Sequence, residues 1–140
     1  YRALLHELAH VLSFQRMSPP SATRPPPIPV WFREGLAAFV AEGPPTPNLR
    51  RTVANHPRLA ALARADADVL ARYSDDCYRV ARLLFAGWLQ RFGDRGYAAL
   101  CRLMRGGMSF ANAHHRACSV SEAGFVAEWI EAVRDEAATG

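Results

Sequence analysis

Six prolines crowd one short stretch of this chain, at Pro19, Pro20, Pro25, Pro26, Pro27 and Pro29, and no regular element can run through them. Proline lacks the amide hydrogen a helix or sheet requires, and its ring clashes with the preceding turn. Residues 18–29 therefore read as an extended surface loop, stiffened by polyproline geometry. Before it, Tyr1 to about Met17 carries Leu4, Leu5, Leu8, Val11, Leu12 and Phe14 at helical spacing, an apolar face alongside two histidines. After it, Phe32, Leu36, Phe39 and Val40 repeat that spacing in a second helix, which stops at Gly43-Pro44-Pro45. The loop thus joins two helices, and as a neighbour of both it could wall or cover whatever they carry.

The rest of the chain reads the same way. Asn48 is placed to cap a short helix from Leu49 to about Asn55, and Arg58 to Ala65 forms a further apolar turn or two. Ser74, with Asp75 and Asp76 behind it, opens the longest amphipathic face, through Val80, Leu83, Leu84, Trp88, Leu89 and Phe92 to Gly93. This face is the expected spine of the core. Asp94 can cap a following helix that runs to Met104 and ends at Gly106-Gly107, and Ser109 starts another through His114 and His115, both expected to be solvated. Ser119-x-x-Glu122 has the form of a capping box for a last helix with Phe125, Val126, Trp129, Ile130 and Val133 inward. No stretch alternates with period two, so residues 1–140 are expected to form one all-α domain.

Chemistry enters in the first helix, at His6-Glu7-Leu8-Ala9-His10. Residues four apart on a helix share a face, so the two imidazoles can close on one metal ion while Glu7 stands beside its open position. That is the HExxH arrangement of a catalytic zinc, with the glutamate able to take a proton from an activated water. An open zinc site needs a third protein ligand. Glu34 is the candidate: it lies in Trp31-Phe32-Arg33-Glu34-Gly35-Leu36-Ala37-Ala38-Phe39, where Gly35 and the alanines permit close approach of a second helix. The ordinary alternative for such a residue is a solvated surface acid.

HELAH followed by WFREGLAAF resembles the gluzincin metallopeptidases, above all the bacterial peptidase MA-like domains, and the later helical order is similar over almost the whole chain. The resemblance implies a zinc ion held by His6, His10 and Glu34, with Glu7 as general base. It also implies a side chain that steadies the oxyanion, for which Tyr78, early in the long helix, is the candidate beside an alternative role in packing. Two departures stand out. Thermolysin-like members carry an aspartate four residues after the ligand glutamate where this chain has Ala38, so a partner for His6 or His10 would come from Asp75, Asp76 or a backbone carbonyl. The family also has a β-sheet before the HExxH helix that grips the substrate. The chain is accordingly expected to be a zincin-like helical domain lacking that sheet, weakly active or inactive alone, with a peptide or protein as substrate.

The net charge of +4 comes entirely from arginine on the basic side. These arginines are scattered among alanines and leucines with no aromatic-basic pattern, which argues against a nucleic-acid-binding role. No apolar run is long enough to cross a bilayer. Cys77, Cys101 and Cys118 form no CxxC pair and read as small buried apolar residues, with localisation left open. His56, just before Pro57, reads as a surface or packing histidine. The competing functional class is a metal-binding or structural module that keeps the ligands without turnover, although a closed structural site has no use for a base such as Glu7.

Overall fold

A computed structural model describes residues 1–140, and the chain is all helical, with no strand. Its elements are α1 (Arg2–Met17), α2 (Val30–Glu42), α3 (Pro47–Ala54), α4 (Leu59–Ala63), α5 (Ala67–Arg72), α6 (Ser74–Arg105), α7 (Phe110–Cys118) and α8 (Glu122–Thr139). No helix is long and apolar enough to cross a membrane. The proline-rich segment between α1 and α2 is free of helix, as its composition demands. At Gly93 the backbone turns to φ 66°, ψ −171°, a conformation open to glycine alone, and this kinks α6 where the sequence places a break.

Several helix starts differ from those read in the sequence, each for a local reason. Thr46, not Asn48, caps α3, its hydroxyl accepting from the Leu49 amide at 3.2 Å, because Pro47 takes the first helical position that needs no donor. α6 begins with Ser74 already inside the helix and Tyr73 as the flanking residue, so Ser74 is no cap. Ser119 adopts the left-handed conformation that closes α7, which hands the capping of α8 to Ser121, whose hydroxyl accepts from Gly124 at 3.0 Å. The short α5 carries little apolar periodicity and is set by Asp66, which accepts from the Val69 amide.

α6 is the spine. Val80, Leu83, Leu84, Phe85 and Trp88 are buried along it, and α2 packs against it more extensively than any other pair of helices. At their crossing Phe32 is fully buried and meets Phe85, Trp88 and Phe110 edge to face, with centroids 5.3, 5.0 and 5.1 Å away. Gly35 lets the helices come this close: a Cβ there would lie 2.3 Å from the Ala81 carbonyl oxygen and 2.8 Å from Phe85 Cβ. The far end of α2 is clamped by Arg82, whose guanidinium donates to the carbonyls of Glu42, Gly43 and Pro44 and to the Glu42 carboxylate, all at 2.9–3.0 Å. A cation there satisfies orphan carbonyls and complements the negative end of the helix dipole.

Two expectations are corrected here. His114 is not solvated: it is fully buried, Trp88 Nε1 donates to its Nε2 at 2.9 Å, and its Nδ1 lies 2.9 Å from the Val120 carbonyl oxygen. Both contacts are satisfied by the neutral ring with its hydrogen on Nδ1. His115, its neighbour, is exposed. The apolar face of α1 is likewise not all interior: Leu4, Leu8, Val11 and Leu12 are exposed, 46–61% of each, while only Ala9 and Met17 of that helix are buried. The cysteines are free thiols, Cys77 and Cys101 buried and Cys118 half-buried.

Candidate metal centre

α1 and α2 pack directly on one another, and this brings the two halves of the sequence pattern together. One turn of α1 separates His6 from His10, whose rings meet edge to face with centroids 4.8 Å apart. Both bring Nε2 close to the same oxygen: Glu34 Oε2 lies 3.1 Å from His6, with hydrogen-bond geometry, and 3.2 Å from His10. Ligand bonds of roughly 2.0–2.2 Å at tetrahedral angles leave donor atoms about 3.4 Å apart, so these separations match the edges of such a site. One ligand atom from each of the three residues lies within 4.8 Å of the others, and the group could hold a metal ion. With Nε2 protonated His6 can donate to Glu34, and taking up a metal requires both ring nitrogens bare.

Glu34 is not a solvated surface acid. It is 7% exposed, pressed down by the close approach at Gly35 one residue later. Its second oxygen, Oε1, accepts from Arg33 Nε at 3.1 Å, so the carboxylate is held from behind while Oε2 faces the histidines. Arg33 was not singled out in the sequence. Adjacent residues on a helix do not face each other, and only the reach of the arginine stem folds its guanidinium back onto Glu34.

Glu7 is exposed on α1, next to His6 in the chain, and its carboxylate makes no hydrogen bond or ion pair. Tyr78, near the start of α6, sets its ring edge-on to His6 at 5.6 Å. Burial pushes its phenol above the ordinary value of 10, and the charges of Glu34 and Glu7 add to that, so it is a protonated hydrogen-bond donor at neutral pH. His6, His10, Glu34 and Tyr78 are therefore neighbours drawn from three helices, and Glu7 adjoins them in sequence on α1.

The expected partners for the histidines are not where the sequence suggested. Asp76 pairs with His56 at 3.2 Å and with Arg79 at 3.6 Å, Asp75 is exposed, and neither reaches His6 or His10. The reason is helical phase: on α6 it is Tyr78, two residues after Asp76, that faces α1, while Asp76 faces the segment before α4. His56 is a packing histidine with both nitrogens engaged, Nδ1 accepting from the Arg58 amide at 3.0 Å. Ala38, where thermolysin-like enzymes have aspartate, is a buried packing residue on α2.

The groups left over are structural. Trp31 Nε1 donates to Glu122 at 2.6 Å, which ties the start of α2 to the start of α8. Arg105 donates to the Gln15 carbonyl at 3.1 Å and holds the end of α1 to the end of α6. Comparison with known proteins finds no family model, no curated protein and no solved structure that matches this chain.

Proposed function

We propose that the chain is a gluzincin-type zinc metallopeptidase domain, with His6, His10 and Glu34 as ligands. The observation that carries this is the convergence of both Nε2 atoms on one carboxylate oxygen from a second helix, with an unpaired Glu7 next to them. Two imidazoles and a carboxylate are a donor set of catalytic zinc, and the same set serves other divalent ions, so the choice of zinc rests on the resemblance of HELAH and WFREGLAAF to the gluzincins. When bound, zinc supplies Lewis-acid polarisation of a water and of a peptide carbonyl.

The chain's own residues divide the remaining work. Glu7 takes the proton of the attacking water and passes it to the leaving amine. Tyr78, kept protonated, donates to the carbonyl oxygen as negative charge develops there. Arg33 keeps Glu34 turned toward the histidines. The substrate is a peptide or protein, attacked at a backbone carbonyl.

The test is metal content together with peptide hydrolysis, for the full-length protein and its Glu7→Gln variant. The proposal expects about one zinc in each and cleavage by the wild type only. Zinc in both with cleavage by neither would leave a metal-binding module, the competing class. A chain that holds no metal, with His6 intact or with His6→Ala, would overturn both readings.

A further inference from the structure

Beside the ligand oxygens opens a small cavity of about 230 Å³, bordered by His10 and Glu34 and walled by Phe14, Pro25, Pro26 and Ile28. Its one cation is Arg33. We propose that this cavity is a substrate subsite for a carboxylate, read by the Arg33 guanidinium; the proposal rests on the metal-centre reading and names the substrate chemistry it selects.

Size is the first argument. Pockets that enclose whole ligands run to about 300–1,000 Å³, so this one suits a single side chain or chain end lying next to the reacting bond. Chemistry is the second. The walls are a phenyl ring, two prolines and an isoleucine, with Ser13 beside them, and their apolar carbon suits a methylene stem. At its border Arg33 uses only Nε on Glu34, and its terminal amino groups make no hydrogen bond. A guanidinium presents five donors in a planar fork, and the pair of terminal groups matches a carboxylate. Arg33 is 42% exposed along its side chain, so those donors are reachable.

The surrounding charge agrees. The neighbouring cleft, which Arg33 also borders, adds Arg24, and its one acid, Glu122, already accepts from Trp31. Glu34 is the only acid on the subsite itself, and it is committed to Arg33 and the two histidines. A second consequence concerns the proline-rich loop. Pro25, Pro26 and Ile28 form one wall of the subsite, so the stiff segment joining α1 and α2 has a role in selection as well as connection.

A carboxylate can come from an acidic side chain or from a peptide C-terminus, and four fluorescein-labelled alanine-based peptides separate the two: one internal residue glutamate or glutamine, the end free or amidated. Binding by anisotropy uses the zinc-loaded Glu7→Gln variant, so that peptide is not consumed. A charge-assisted hydrogen bond to a guanidinium predicts binding about tenfold tighter in whichever arm supplies the carboxylate. An advantage for glutamate over glutamine with an amidated end identifies the side chain, and an advantage for the free end in the glutamine peptide identifies the terminus. Arg33→Gln should erase the preference. Because that change also releases Glu34, Ile28→Trp supplies the independent check: it fills the cavity away from the Arg33–Glu34 pair, and should lose the preference with zinc content unchanged. Zinc uptake with all four peptides bound within about twofold overturns the subsite alone. No zinc uptake overturns the metal reading, and the subsite with it.

Discussion

The two helices that supply the candidate metal ligands are held in opposite ways. α2 is sunk in the body of the molecule, with Val30, Trp31, Phe32, Glu34, Gly35, Ala37 and Ala38 all buried and its last carbonyls gripped by Arg82. α1 lies on top, with two buried residues and four large apolar side chains in solvent. The single carboxylate is thus built into the core, while the two histidines ride on an element held by fewer contacts. A ligand on a rigid support can keep its geometry without an ion, whereas a histidine pair on a loosely seated helix gains most from being tied down. The arrangement is a platform in two parts, α2 and α6 setting the position of the carboxylate and α1 completing the group.

That contrast can be broken most severely from the α2 side. Phe32→Ala removes the ring at the centre of the aromatic cluster and should cost about 3–5 kcal/mol, read as a fall in the denaturation midpoint. Gly35→Ala comes next, at about 1–3 kcal/mol or somewhat more, since its methyl would overlap the Ala81 backbone, which cannot turn aside as a side chain would. On the proposed metal reading it should also weaken zinc binding, because the shift of α2 carries Glu34 with it. Full zinc affinity in Gly35→Ala would show that the close crossing is not what places the ligand.

A smaller effect tests the buried end of the same core. Burial holds the folded His114 ring below its ordinary value of 6.5, an effect only partly offset by the Val120 carbonyl and the charge of Glu122. Below that value the unfolded chain binds the extra proton more readily than the folded one. The stability that His114 contributes is therefore complete above pH 6.5, and is lost as the pH falls from there to its lowered folded value. Denaturation curves across that range should show a slope that His114→Gln removes; an unchanged slope would assign it to other groups. The least change is expected on α1, where Leu8→Ser and Leu12→Ser, at 46% and 56% exposed positions, should each stay within about 0.5 kcal/mol. A loss well above 1 kcal/mol would mean that this face is covered in solution, and the contrast between the two helices would then be one of partners and not of burial.

Some parts of this molecule were readable residue by residue. The prolines between Pro19 and Pro29 forbid regular structure, and the break at Gly93 follows from glycine's access to positive φ. The face from Val80 to Trp88 on α6 is where periodicity puts it. Other parts were not. Thr46 and Ser121 displaced better-placed candidates for capping because a neighbouring proline or a left-handed residue decided the boundary. His114 reads as an ordinary polar residue until Trp88, twenty-six positions away, supplies its hydrogen-bond partner.

The candidate site divides along the same line. Sequence alone determined that His6 and His10 share a face with Glu7 beside them, because a helix fixes that geometry through local hydrogen bonds whatever surrounds it. It also named Glu34 and Tyr78, through their setting and a resemblance. Only the tertiary structure decided that Glu34 Oε2 meets both imidazoles, that Tyr78 and not Asp76 faces them, and that Arg33 stands behind the carboxylate. Those outcomes depend on the depth and rotation at which three helices pack, which the absent Cβ of Gly35 and the interlocked rings around Phe32 set, and no local rule along one chain contains them.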